Sequence, residues 1–124
     1  MLASASVDNN IIVWDCRSHM ATAQNSGSSR SGSVLAGGGL ISPFRVLSGH
    51  QSFVKGVSFD PVGRFLASSG GDNVIIIWDC DTWEALYTLD GPLKHSEDRT
   101  MFRRLSWAPD GSSLCITCAT KVNN

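Results

Sequence analysis

Residues 2–16 read LASASVDNNIIVWDC, and residues 66–80 read LASSGGDNVIIIWDC. The two stretches agree in register at ten of fifteen positions, 64 residues apart. Chance does not give that agreement, so the chain contains an internal repeat, and repeats of this kind build modular architectures. Each copy has the same physical layout. A short strand ending in small residues, "LASAS" or "FLASS", leads to "VDNN" or "GGDN", where Asp and Asn tolerate the tight turn of a hairpin. The β-branched runs "IIVWD" and "VIIIWD" follow and close on Trp. Each copy is therefore expected to be a β-hairpin whose second strand is buried on both faces.

The pattern extends on either side of the second copy. "FVKGVSFDPVG" (53–63) reads as a strand ending in an Asp-Pro turn, because Pro cannot continue a ladder. "EALYTLDG" (84–91) reads as another strand ending at Gly, so residues 53–89 hold four short strands in succession. The unit then restarts. In "RRLSWAPDGSSLCITCA" (103–119), Ser106, Pro109, Gly111 and Leu114 take the places of Ser58, Pro61, Gly63 and Leu66. No convincing amphipathic helix interrupts the series, and the fold class is all-β.

Between the first hairpin and "FRVLSGH" lies a stretch dominated by Ser, Gly, Ala and polar residues, 17–43. Its composition buries too little apolar surface to offset the entropy of ordering, so it reads as an exposed insertion loop. Arg30-Ser31-Gly32-Ser33 and Ser42-Pro43 within it resemble kinase sites, a match that short motifs often make by chance.

Bulk properties exclude several functions. In 124 residues with 42% hydrophobic residues and a net charge of −1 there is no basic excess for a general phosphate-binding surface. Direct DNA binding is therefore not expected. No apolar run approaches the roughly 20 residues needed to cross a bilayer. Met1 opens on a strand-like segment with no signal peptide visible. Cys16, Cys80, Cys115 and Cys118 do not form a disulfide framework, which points to a reducing compartment. "CITC" (115–118) is half a zinc site, and His19, His50 and His95 are too scattered to complete it. On an extended strand Cys115 and Cys118 face opposite ways, so both read as buried structural thiols. "AGGGL" lacks the Lys-Ser/Thr and the helix of a phosphate loop. No metal or cofactor is expected.

A four-strand unit running from Gly49-His50 to Trp78-Asp79, preceded by a partial unit ending in Trp14-Asp15, resembles the WD40 repeat of β-propellers. The resemblance implies that His50 hydrogen-bonds the turn residue Asp72, with Trp78 at the outer end of the network. In the first unit it places Asp8 and Trp14 correspondingly, with Ser6 as the network's hydroxyl. The hydroxyl expected two places before the Asp is Ser6 in the first unit but Gly70 in the second, which predicts a network without a hydroxyl there. A His-Asp pair also invites a catalytic reading. The repeat accounts for these residues as links between strands, and no nucleophile is placed beside them.

The organisation expected is thus a partial blade at 1–16, the insertion at 17–43 and the first blade's closing strand at 44–48. A complete blade follows at 49–91 and a partial one at 92–124. About two blades cannot close a ring of the typical 4–8, so the chain reads as a fragment of a propeller, which the resemblance implies is seven-bladed.

More specific words narrow the family. "GHQSFVKGVSFDPVGRFLAS", "DNVIIIWDCDTW" and "MFRRLSWAPDGSSL" together resemble consecutive blades of the HIRA-type (histone regulator A) histone chaperone subunit. The resemblance implies a nuclear, non-enzymatic scaffold for replication-independent histone deposition and transcriptional repression, with proteins of a chaperone complex and histones as partners. The WD-repeat subunit of the replication-coupled chromatin assembly factor carries similar words, and a generic WD40 adaptor is a third reading. Trp83 and Trp107 favour the HIRA type. Loops on one face of such a propeller commonly bind peptides. Here they carry Gln51, Phe53 and Lys55, then Asp72 and Asn73, then Phe102 and Arg103, as candidate partner-binding residues.

Overall fold

The computed structural model describes residues 1–16, 42–96 and 100–117; most of the 17–43 stretch and Cys118 lie outside them. The described residues form three antiparallel sheets in chain order. The first contains β1 (Leu2–Ala5), β2 (Asn10–Asp15) and β3 (Ser42–Ser48). The second contains β4 (Val54–Phe59), β5 (Phe65–Gly70), β6 (Ile75–Asp79) and β7 (Ala85–Leu89). The third holds β8 (Leu105–Trp107) and β9 (Leu114–Ile116), and a 3-10 turn at Gly91–Leu93 leads towards it. The sheets stand side by side, β4 meeting both β1 and β8, and they do not close into a ring.

The two repeated hairpins have the same register. Leu2 pairs with Trp14 as Leu66 pairs with Trp78, and Ile11 and Ile75 occupy the same place in their strands. Both turns carry an Asn in the left-handed region, Asn9 at φ 72° and Asn73 at φ 59°, a conformation Asn tolerates better than most residues. In each turn the preceding Asp caps a backbone N–H two residues on, Asn10 to Asp8 and Val74 to Asp72. Even the irregularities repeat. A bulge falls beside Trp14 in the β2–β3 pairing and beside Trp78 in the β6–β7 pairing.

The Pro turns are built alike. Gly63 donates to Asp60 O and Gly111 to Ala108 O, and both glycines have φ near the left-handed region, 78° and 73°. Asp60 adds a cap, its Oδ1 accepting from the backbone of Arg64 and Phe65.

The core lies between the first two sheets. Ile11, Val13 and Leu47 face Val54, Leu66, Ile76 and Trp78, and Trp83 closes the outer end against Phe44 with ring centroids 6.1 Å apart. Burial of β6 is nearly complete, as its apolar run predicts. In β2, however, Ile12 and Trp14 are only half-buried, because no described residue covers that face. The closing strand of the first blade starts at Ser42 rather than Phe44. Pro43 is admitted because β3 is the edge strand of its sheet, and the bulge beside Trp14 absorbs the missing N–H.

Backbone hydrogen bonds also join neighbouring sheets. Val54 N–H donates to Ser6 O at 3.0 Å, and Arg103 N–H donates to Lys55 O at 3.0 Å. The second bond depends on a bulge. Val54 pairs with Gly70 and Gly56 with Ser69, so the register skips Lys55, and its carbonyl accepts from the next sheet. Gly56 beside it is obligatory, since a Cβ there would overlap the Arg103 carbonyl.

Candidate functional site

The polar residues of the second blade form one chain of hydrogen bonds. His50 Nδ1 lies 3.1–3.2 Å from both carboxylate oxygens of Asp72, which fixes the ring's direction. Its Nε2 lies 2.8 Å from Ser68 Oγ, and Trp78 Nε1–H donates to the same oxygen at 2.9 Å. With Nδ1–H donating to Asp72, Nε2 accepts from the Ser68 hydroxyl, and every member has a partner. Asp72 also accepts from the Gln51 and Val74 backbones, so it ties the β3–β4 loop to the β5–β6 turn.

This geometry corrects the sequence expectation in one respect. The hydroxyl is present in the complete blade, but it belongs to Ser68, four residues before Asp72. Gly70 could not carry it. A Cβ at Gly70 would fall 2.5 Å from Asp72 Oδ1 and 2.6 Å from His50 Nδ1, so the absence of a side chain there makes room for the pair. Ser68 pairs with Ile76 across the strands, one diagonal step from Trp78, within reach of a long indole.

The first blade follows the same rule. Trp14 Nε1–H donates to Ser4 Oγ at 2.9 Å, not to Ser6. Ser6 instead accepts from the Asp8 backbone N–H at 3.3 Å. Asp8, held by the Asn10 backbone N–H and the Ser6 hydroxyl, has its carboxyl below the ordinary range. Asp110 is lowered in the same way by Ser112, in side chain and backbone.

An Asp-His-Ser chain at these distances has the connectivity of a hydrolytic triad. Ser68 has no exposed surface, however, and its Oγ already accepts from the indole, so no acyl carbon can approach it. Its chemistry is cross-linking of strands. Burial, followed by the charges of Asp60, Asp79 and Asp81, pushes the Cys80 thiol up to about 11, which keeps it protonated and unreactive at neutral pH. Cys115, expected to be buried, is instead exposed, on a strand of a two-stranded sheet, and its CITC partner lies outside the described residues.

The candidate partner residues separate into two groups. Gln51 and Phe102 are exposed, Phe102 at 82%, and Phe53 is half-buried against Gly71. Lys55 and Arg103 are buried, at 6% and 1%, and Asn73 is half-buried. The Arg103 guanidinium points inward, donating to Gly70 O and Asn73 Oδ1, and so does not present itself to a partner. Phe102 takes the place that Val54 has in the preceding blade, where that position is packed in the core. Here the third sheet has two described strands, and Phe102 stands exposed beside it. Within the described residues no group of His, Cys, Asp and Glu could hold a metal ion.

Residues 41–79 match the model of the family "WD domain, G-beta repeat". The protein HIR1 of Cryptococcus neoformans is 34% identical over 119 residues, which is 96% of this chain and 11% of that protein. The protein hir1 of Schizosaccharomyces pombe is 30% identical over 92% of this chain and 10% of its own length. The histone transcription regulator slm9 of the same yeast is 37% identical over 56% of this chain and 9% of its own length. The chain thus spans about a tenth of the length of the curated relatives it matches. Among solved structures, a chain of the crystal structure of a mitotic checkpoint complex matches with a TM-score of 0.60. At 22% identity over 92% of this chain and 28% of that one, it shows the fold alone.

Proposed function

The chain belongs to the WD40-repeat proteins and is homologous over most of its length to the HIR1-type histone regulators, and from that premise we propose that it is part of a non-enzymatic histone-chaperone scaffold. The scaffold works in the nucleus, in replication-independent chromatin assembly and the repression of transcription. Its partners are histones, reached directly or through other chaperone subunits, and it takes no small-molecule substrate. The observation that carries this reading is the match to HIR1 proteins along almost the whole chain, inter-blade segments included, rather than at the generic Gly-His and Trp-Asp positions alone. The burial of His50, Ser68 and Trp78 in one hydrogen-bonded network is consistent with it, because recognition needs no tuned acid, base or nucleophile. We place the partner-facing rim at Gln51 and Phe53, beside the Asp72 turn.

The test is histone deposition in extracts depleted of the complete parent protein. Depletion lowers deposition on unreplicated plasmid, and adding the protein back restores it. A loss confined to replicating templates would instead assign the protein to the replication-coupled assembly factor. Unchanged deposition on both templates overturns the chaperone reading and leaves the WD40 fold.

A further inference from the structure

We infer that Arg103 and Asn73 form an inter-blade clamp that holds the segment leading into the third sheet against the hairpin turn of the second. Arg103 is the largest fully buried side chain among the described residues. Burying a guanidinium is costly unless its forked N–H groups find acceptors. Two are supplied by the β5–β6 hairpin: Gly70 O at 3.4 Å from Nη1 and Asn73 Oδ1 at 3.3 Å from Nη2.

Asn73 is built for this. Its backbone is left-handed (φ 59°), and the two ends of its amide serve different segments. Oδ1 accepts from Arg103, while Nδ2 donates to Ser96 O at 3.4 Å. One side chain thus grips the connecting segment at both of its described ends. The Arg103 N–H, bonded to the bulged Lys55 carbonyl, adds a third hold on the same residue. Gly70, whose carbonyl receives the guanidinium, is also the residue whose missing Cβ admits the His50–Asp72 pair. The clamp therefore docks directly onto the polar network of the neighbouring blade.

Comparison with the preceding repeat shows what is particular to this junction. Lys55 occupies in the second sheet the place of Arg103 in the third, and it too is basic and buried. Asn9, 64 residues before Asn73, has the same left-handed backbone at φ 72°. In the first junction, Ser6 O, the equivalent of Gly70 O, accepts from the Val54 backbone N–H rather than from a guanidinium. Arg103 thus replaces a main-chain contact between blades by a side-chain one. Its role is positioning: it sets where the exposed Met101 and Phe102 stand relative to the His50 loop. The inference does not depend on the chaperone reading.

Hydrogen exchange on the complete parent protein tests it with three single variants and one double variant. Asn73→Gly keeps the left-handed backbone and removes the amide. Arg103→Lys keeps the charge and removes the fork. Each speeds exchange of the Arg103 N–H and residues 94–96 by about tenfold, with β5 and β6 unchanged, and the double variant adds little to either. Asn73→Asp retains an acceptor for Arg103 but loses the donor to Ser96. It preserves protection at Arg103 while the 94–96 segment loosens. Unchanged exchange in Asn73→Gly, additive effects of the two single changes, or an Asn73→Asp pattern identical to Asn73→Gly would each overturn the clamp.

Discussion

Ser68 Oγ serves two buried rings at once, 2.8 Å from His50 Nε2 and 2.9 Å from Trp78 Nε1. Removing it strands an imidazole nitrogen and an indole N–H in a site with no exposed surface on the serine. Ser68→Ala is expected to destabilise the propeller of the parent protein by about 1–3 kcal/mol, and His50→Ala by a similar amount. Because both variants break the same chain, the double variant should cost clearly less than their sum. Ser4→Ala, in the half-buried network of the first blade, should cost less than Ser68→Ala. Denaturant unfolding of the four variants measures all of this, and a neutral Ser68→Ala would contradict the assignment. The WD40 resemblance implied the partnership of His50, Asp72 and Trp78 but misplaced the hydroxyl. Counting two places back from the Asp leads to Ser6 and Gly70. The signal that could have found the right residue lies in the repeat itself. Ser4 and Ser68 are identical positions of the two copies, whereas Ser6 and Gly70 are not.

At the level of elements, the alternation of strands and turns was readable because turn chemistry here is strict. Asp-Asn and Pro-x-Gly each recur at the same offset, and each recurrence is a turn of the same geometry. What the sequence conceals is how sheets are joined. The bulge at Lys55 has no local signature, since it exists only in the pairing of β4 with β5. The burial of Arg103 is hidden for the same reason: an Arg near a strand entry reads as a surface residue until its acceptors on another blade are seen. Gly56 gives the junction a sharp test. Any Cβ there meets backbone, the carbonyl of Arg103, which cannot swing aside as a side chain would. Gly56→Ala should push β8 away from β4, breaking the bond from Arg103 N–H to Lys55 O, at a cost of about 2 kcal/mol or more. Gly91→Ala, with nothing within 4 Å of the added carbon, is the matched control and should be near neutral. Equal stability of the two variants would show that the junction yields more easily than its backbone contact implies.

On the scale of the whole molecule, the first two sheets show what a complete junction looks like and the second and third what an open one leaves bare. Leu47 pairs with Ile11 and is 4% exposed, covered by the second sheet. Leu89 pairs with Ile75 at the equivalent place and is 43% exposed, with Tyr87 beside it at 63%. The free edge of β7 also lacks the Pro and Arg that guard β3, carrying Ala-Leu-Tyr-Thr-Leu instead of Pro43 and Arg45. An apolar face next to an unguarded edge favours association between chains. These 124 residues in isolation are therefore expected to self-associate or to unfold without a single cooperative transition, as sedimentation and thermal unfolding would show. The same face gives a substitution with opposite effects in two settings. Leu89→Lys should reduce association of the isolated chain, because a charge blunts both face and edge. In a closed propeller the neighbouring blade would cover that face as the second covers the first, and there the substitution should destabilise by about 2 kcal/mol or more through a buried charge. A monomeric, cooperatively folding isolated chain, or a Leu89→Lys parent of unchanged stability, would mean that the exposed face is a finished surface and not a blade junction.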